Sequence, residues 1–502
     1  MKKIIFILFL TVFTTFNIYT QNFRCIYPNT TSFFEDFEGI IRAFKIDSVK
    51  VINNDTVYFP FHQIRPSDYK YSTQNCYIPD GASWLGNQII HKTNGYYLFF
   101  NYLSDTIKIN SLADFNEEWR CYIYKNNSYI KATVTSIYAL TFLGLTDTVK
   151  TIRFAVFDNN NNPLSHPVNN LVILLSKNYG FVKSLNFLNF PDGLGYFIYD
   201  DISLVEFNLI GLSNPATGCH NITWQEVYNF DIGDELHTVY TSKEGDRDHY
   251  IRIDIFTIRT VIYKYTNYDT LIYKFARREQ NLNQEINITI PDTIIWSNTT
   301  KKDTVTVKIA PNKRFDKLPG ETTYYNFSDQ YIREYYQKKF NNSRYSKFDP
   351  NNDRPLHLND TCYKPTFVDG ELLDNYIEGL GGPYYHGGFS GNYELKLVYY
   401  KKGTEIWGNP LVVGIEENQK NQSSIHIYPV PAKDVIHIDL SSMIQPPVFI
   451  QIINLQNKMM IAYQPVGTAI YEIPIRILPA GVYFVRVIFD QQPSIIRKMI
   501  VY

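Results

Sequence analysis

The chain has 502 residues, 44% of them hydrophobic, and a formal net charge of -1 at pH 7. That length suits about three domains at ~100–200 residues each, and that hydrophobic share excludes a disordered chain. Near-neutrality with no basic stripe excludes a general affinity for nucleic acid or acidic membranes.

The first residues read as an export signal. Met1-Lys2-Lys3 is a short positive segment, and Ile4 to Phe16 is apolar. A spanning helix needs ~20 apolar residues, and this run meets Asn17 too soon. Residues 1–20 are therefore expected to be a signal peptide cleaved before Gln21, with the Sec translocon as first partner. No later segment is apolar enough to span a membrane, so no integral span is expected after cleavage. Cys25, Cys76, Cys121, Cys219 and Cys362 are far apart, with no CxxC and no metal-ligand spacing. An odd count leaves at least one thiol unpaired. Cys76–Cys121 is the candidate disulfide, and buried small hydrophobes are the alternative.

Aromatic residues make up 16% of the chain, with 41 Tyr and 34 Phe, which favours pleated, half-buried surfaces and points to an all-β fold. Residues 21–220 read as a β-rich body domain of short strands, such as Thr56 to Phe59, Tyr96 to Phe100 and Thr151 to Phe157. Asp158 to Pro163 is a polar turn. Leu171 to Leu175 is a short apolar run, expected to be a strand buried on both faces. Residues 221–414 form a second β-rich region. Ile251 to Ile255 alternates as a one-face-buried strand should, and Asn267-Tyr268-Asp269 sits between two strand-like runs as a hairpin turn. Ser328 to Phe340 is the best helix candidate, because Tyr331, Tyr335 and Tyr336 are spaced for one helical face. Residues 415–424 are polar and serve as a linker.

After the linker the pattern sharpens. Tyr428-Pro429-Val430-Pro431-Ala432-Lys433-Asp434 leads into Val435 to Ile438, followed by Ile450 to Lys458 and then by Leu478-Pro479-Ala480-Gly481-Val482-Tyr483-Phe484-Val485. Arg497-Lys498-Met499-Ile500-Val501-Tyr502 ends it. In order and position these pieces resemble the type A sorting domain of type IX secretion cargo, the Por secretion C-terminal sorting domain. The resemblance implies an immunoglobulin-like β-sandwich over residues 425–502, handling by the type IX secretion machinery, and a destination that is secreted or at the outer cell surface, reached through the periplasm. It carries the motif to Tyr428, Pro429, Pro431, Asp434, Asn457, Gly481, Val482, Tyr483 and Lys498. The residues also make sense on their own. Two prolines set up an extended entry, and Ile436, Ile438 and Leu440 share one face. Gly481 stands where a turn with positive φ is expected, and Asn457 takes a turn position where the family usually has Gly. Val430 replaces the usual Asn. The body, through segments such as Ser83-Trp84-Leu85-Gly86 and Phe230 to His237, resembles uncharacterised cargo of the same system and brings no activity with it.

The search for chemistry yields no catalytic, cofactor-binding or metal-binding residues to commit to. Gly388-Phe389-Ser390-Gly391 is one residue short of a nucleophile elbow and lacks the strand–turn–helix context. Asp234, Glu235 and His237 could approach a cation, but Gly233-Asp234 reads better as a turn with Leu236 in the core. Asp349, Asn351, Asp353 and Asp360 have partial calcium-loop spacing, without the required Gly or terminal Glu. Glu117-Glu118 and Asp200-Asp201 would point to opposite faces of a strand. Asp followed by Ser or Thr and an aliphatic residue recurs at Ser48, Thr56, Thr106, Thr148, Thr270, Thr293 and Thr304. This resembles a bacterial O-glycosylation sequon, and it equally suits strand entry after a turn. The function expected is that of an exported interaction or structural protein. A secreted hydrolase of glycans or peptides is the alternative, and a cup for a hydrophobic ligand is a weaker one. Trp84, Trp119, Trp224 and Trp407 are candidates for an aromatic binding face, against core packing.

Overall fold

The structure is a computed structural model that describes residues 22–67, 76–191, 206–245, 249–267, 270–287, 292–324, 330–349, 356–359, 362–365, 374–387, 393–413, 425–441, 447–455, 458–465, 469–488 and 495–502. Of the described residues 63% are in strands and 2% in helix, so the all-β expectation holds. The chain divides into two compact units. One comprises Met1–Thr238, Thr260–Ala276 and Thr304–Gly408, and the other Val239–Arg259, Arg277–Asp303 and Asn409–Tyr502.

In the first unit, antiparallel pairing runs outward from the long hairpin Tyr129–Phe142 and Leu145–Phe157. Its two-residue turn is Leu143-Gly144, with φ of 52° and 75°. Two positive φ values match the twist of a hairpin, and glycine accepts one without cost. From Leu145–Phe157 the ladder passes to Val172–Ser176, Gly180–Leu185, Glu206–Ser213, Ser32–Glu35 and Ile41–Phe44. It continues through Tyr336–Lys339, Tyr345–Asp349, Asp374–Ile377, Gly381–Gly387, Tyr393–Lys402 and Glu405–Gly408. The strand from the run at 171–175 alternates instead of being buried on both faces. Ile173 and Leu175 are fully buried while Val172 and Leu174 are half-buried, as expected where one face of a sheet is left partly open.

A five-stranded sheet (Ile46–Ile52, Asp55–Pro60, Ile89–His91, Tyr96–Phe100 and Thr106–Asn110) belongs to the same unit. Tyr97, Phe99, Ile107 and Ile109 from it share one core with Ile130, Val134, Ile152, Phe154, Ile173 and Leu175. Trp84 lies in this core, with the Phe207 and Phe34 rings 4.6 and 5.1 Å away. A six-stranded sheet joins Gln63–Pro66 and Tyr77–Gly81 to Cys362–Pro365, Leu356–Asn359, Tyr331–Arg333 and Thr323–Tyr324.

Three expectations change here. Cys76 bonds Cys362, 286 residues away, and Cys121 is a buried free thiol with Cys25 and Cys219. The expected helix at 328–340 is two strands, Tyr331–Arg333 and Tyr336–Lys339, with residues 328 and 329 outside the described residues. Ile332 and Gln337 are fully buried there; Tyr331–Arg333 pairs with Leu356–Asn359, and Tyr336–Lys339 pairs with Tyr345–Asp349 in a hairpin and with distant Ile41, which overrides a tyrosine spacing that mimicked one helical face. At 251–255 it is Asp254 that is buried, accepting from Thr241 Oγ1 at 2.7 Å and Arg252 Nε at 2.8 Å, while the isoleucines are half-buried. The strands flanking 268–269 do pair with each other, and those two residues lie outside the described residues.

Lys150 is buried in the first core. Its Nζ donates to the carbonyls of Ser111 and Ala113 and sits 4.2 Å from the centre of the Phe23 ring. Burial pushes its pKa down to about 8, against the pull of Asp114, Cys25 and Glu117. The unfolded lysine keeps its proton to ~10.4, so above about pH 8 the unfolded chain binds the extra proton. The contribution of this group to stability therefore rises with pH from about 8 to 10, by at most about 1.4 kcal/mol per unit. Burial raises the Cys25 and Cys121 thiols, which gives the opposite sign once free thiols ionise. Comparing wild type with Lys150→Met cancels Cys121, and removing Lys150 raises the Cys25 thiol further, which acts in the same direction. Denaturant midpoints should shift in favour of wild type between pH 7 and pH 9, and a pH-independent gap would contradict the assignment.

Candidate functional site

The C-terminal module is built from alternation. In Val435–Asp439, Ile436 and Ile438 are buried, and in Ile470–Pro474 the buried residues are Tyr471 and Ile473. In Gly481–Ile488 they are Tyr483, Val485 and Val487. Period-2 burial forces each strand to keep one face inward. Strands His426–Tyr428, Val435–Asp439 and Ile470–Pro474 form one sheet. Met459–Tyr463, Phe449–Asn454, Gly481–Ile488 and Ile495–Val501 form the other. The inward residues of both make a single core that includes Ile425, Ala432, Ile450, Ile452 and Met499. This is the seven-stranded sandwich implied by the sequence.

The entry segment closes one side of it. Tyr428 stacks on His437, its cross-strand partner, with ring centres 5.3 Å apart. Pro429 and Pro431 both follow cis peptide bonds and carry no N–H, so the first donor after them belongs to Ala432. That N–H bonds Ile500 O at 2.7 Å, and Tyr502 N returns to Ala432 O at 3.0 Å. Ala432 thereby bridges in parallel to Val501 and ties the entry to the far sheet. Val430 is exposed. Asp434 O accepts from Ile475 N at 2.9 Å, and its carboxylate takes Arg476 Nε at 3.0 Å. That second pair is exposed and worth little.

Gly481 departs from expectation. Its φ is not positive, and it is simply the first residue of a strand, with the Tyr483 ring 3.6 Å from where a Cβ would stand. The bend before it is held by Tyr483, whose hydroxyl donates to Pro479 O at 2.9 Å. This is the geometry of a tyrosine corner. Asn457 lies outside the described residues. Around it Asn454 N donates to Lys458 O at 3.0 Å, and Lys458 N to Asn454 Oδ1 at 2.9 Å. Val482 pairs with Ile500, and Phe484 with Lys498, on the outer face of the four-stranded sheet.

The candidates in the body are placed as follows. Gly233 has φ 96° and Leu236 is buried, so Gly233-Asp234 is a turn, and Asp234 pairs with Lys402. Glu235 Oε1 lies 2.8 Å from Nε2 of buried His237, whose ring packs on Tyr399. Glu118 bonds Lys131 at 2.9 Å, while Glu117 accepts from Asp114 N at 2.8 Å. Asp349 is buried against Arg333 at 2.7 Å, and Asn351, Asp353, Asp360, Asp200, Asp201 and 388–391 lie outside the described residues. Among the described residues no three His, Cys, Asp or Glu gather as a metal-holding group. Trp84, Trp119 and Trp224 are buried packing residues, and Trp407 is half-buried and stacked on Tyr400 at 5.8 Å. Of the sequon positions, Ser48 and Thr304 are exposed, and Thr56, Thr106, Thr148 and Thr270 are half-buried. The side chain of Thr293 is outside the described residues. Several of the preceding aspartates anchor structure. Asp147 accepts from Ser176 Oγ and from Asn178 N at 2.8 Å, and Asp105 accepts from Tyr122 at 2.8 Å.

Two substitutions in residues 425–502 expressed alone would grade this module. Tyr483→Phe deletes one hydrogen bond and should lower its unfolding free energy by about 1 kcal/mol. Ile452→Ala empties a fully buried site and should cost about 2–5 kcal/mol. Urea titration would read both, and the reverse ranking would contradict this account of the core.

The profile of the secretion system C-terminal sorting domain family matches residues 426–502. No curated protein is significantly similar to the chain. One solved chain, described as the extracellular domain of a hybrid two-component system from B. thetaiotaomicron, aligns over 91% of this chain and 84% of its own, at 7% identity and a TM-score of 0.11. A superposition that poor carries no statement about fold or function. The sandwich and its bridged entry agree with the profile: residues 426–502 are a C-terminal sorting domain of the type IX secretion system, and the chain is cargo of that system.

Proposed function

We propose that this cargo is an interaction or structural protein, displayed on the outer cell surface or released. It enters the periplasm through the Sec translocon on a signal peptide at residues 1–20, which lie outside the described residues. The β-rich stretches 21–220 and 221–414 are the delivered body, and 415–424 are the tether to the address. The observation that carries this reading is the self-contained core of the sorting sandwich, every member of which lies between Ile425 and Val501. A module that buries its own apolar faces can serve as an address without any contribution from the cargo. The packed tryptophans and the structural roles of Asp147, Glu235 and Asp349 favour a scaffold over a catalytic cleft.

Deleting Ile425 to Tyr502 in the native host should leave the body in the periplasm, read by fractionation and immunoblot. Truncated protein reaching the medium or the surface at wild-type level would end the proposal.

Ser48, Thr56, Thr106, Thr148, Thr270, Thr293 and Thr304 are proposed O-glycan acceptors, with exposed Ser48 and Thr304 the most accessible. Protein purified from the native host should exceed the mass of the bare cleaved chain, with the excess mapping to these hydroxyls. A mass equal to the bare chain would rule them out.

A further inference from the structure

Lys347 is fully buried in the first unit, on strand Tyr345–Asp349. Its Nζ meets three oxygens of uncharged groups: Lys317 O at 2.7 Å, Asn221 Oδ1 at 2.8 Å and Ile222 O at 3.2 Å. The rings of Phe315 and Tyr335 lie 4.8 and 5.7 Å from it. None of these three partners is a carboxylate, the group that normally accompanies a buried cation.

The opposing amide is held with equal care. Gln337 is the cross-strand partner of Lys347 in register and is also fully buried. Its side chain takes Ile222 N at 2.9 Å and donates to His220 O at 2.9 Å, gripping the chain on both sides of Asn221. Asn221 Nδ2 donates to Asp316 O at 2.6 Å, which turns the amide so that its carbonyl faces Lys347. Fully buried Lys347 and half-buried Asn221 are thereby held together beside the Phe315 and Tyr335 rings, the arrangement in which an intramolecular reaction gains most from orientation.

We propose that Lys347 and Asn221 join in an intramolecular isopeptide bond. The Nζ lone pair attacks Cγ of Asn221 and forms the new C–N bond. The Cγ–Nδ2 bond then breaks, and Nδ2 leaves as ammonia with a proton that began on Nζ. The step needs no oxidant, no cofactor and no water. Two features of the site serve it. Burial pushes the Lys347 pKa down to about 7, so the neutral amine is populated at neutral pH. Asp316 exerts the strongest pull of any carboxylate on Lys347; its Oδ1 accepts from Trp224 N at 2.8 Å and its main-chain O holds Asn221 Nδ2, so it positions the amide. Lys150 provides the contrast. It is also buried, but its acceptors are main-chain carbonyls of Ser111 and Ala113, where acylation would require cutting the chain.

The bond would close a 126-residue loop between the segment ahead of helix Trp224–Val227 and strand Tyr345–Asp349. It would make that part of the body resistant to unfolding and to proteolysis outside the cell.

The test is mass spectrometry of the full chain, expressed in a heterologous cytoplasm, reduced and denatured. The expected mass is about 17 Da below that of the unlinked chain, from the loss of one ammonia. A digest should yield one branched peptide containing both Asn221 and Lys347. Asn221→Ala and Lys347→Met should each restore the full mass. Full mass in the wild type, with Asn221 and Lys347 recovered in separate linear peptides, would overturn the proposal. That result depends on no variant folding.

Discussion

One buried row of residues ties the main sheet across the two halves of the body sequence. Ile41 pairs with Gln337, Gln337 with Lys347, and Lys347 with Tyr376, across four antiparallel strands. The first three of these residues are fully buried. Ile41–Phe44 belongs to the amino-terminal stretch and Tyr336–Lys339 to the stretch beyond residue 330, so the ladder at this point depends on pairing between distant parts of the chain. A short strand can satisfy its backbone only in a neighbour. Losing the pairing at Gln337 would orphan donors on both sides and also release the grip of its side chain on residues 220 and 222.

The six-stranded sheet shows the same constraint at its thinnest. Its strands are two to five residues long, and Tyr77 is the one described register partner that joins Tyr77–Gly81 to Cys362–Pro365. So few hydrogen bonds and so small a core (Ile64, Ile332, Leu356 and Tyr363, with Tyr77 packed against them) bind weakly. The Cys76–Cys362 disulfide sits at this junction and spans 286 residues. Loop-closure entropy grows only slowly with length, so a covalent link here is most useful for securing a sheet that side chains alone hold poorly.

What the sequence showed and what it hid follow from the range of the interactions. Strand-rich character was legible from Tyr, Phe, Thr and Val content. The sandwich strands at 435–439 and 481–488 were legible from the sorting-domain pattern, and both alternate in burial; the strand at 470–474 went unread. The turn at Gly233 was legible from local chemistry. The strands at 331–333 and 336–339 were misread because Tyr335 and Tyr336 mimic a helical face, while their strand character is set in part by distant partners at 356–357 and at Ile41 that no local pattern announces. Gly481 was assigned a positive φ that the Tyr483 corner makes unnecessary. The partner of Cys76 could not be chosen by spacing, because the fold and not the sequence brings residue 362 beside it. The Lys347–Asn221 contact was invisible for the same reason.

The contrast between body and address is therefore one of contact range. Every described strand between His426 and Val501 finds its partners inside that stretch, through hairpins such as Phe449–Asn454 with Met459–Tyr463 and returns such as Val435–Asp439 with Ile470–Pro474. The body pairs residue 41 with 337 and residue 77 with 363. Local pairing closes quickly and independently of what precedes it, whereas non-local pairing must wait for most of the chain. A sorting module that had to borrow strands or core residues from its cargo would change with every cargo. One whose core is complete between Ile425 and Val501 presents the same surface whatever it is fused to, and that independence is what allows a short C-terminal stretch to act as an export address for a body several times its size.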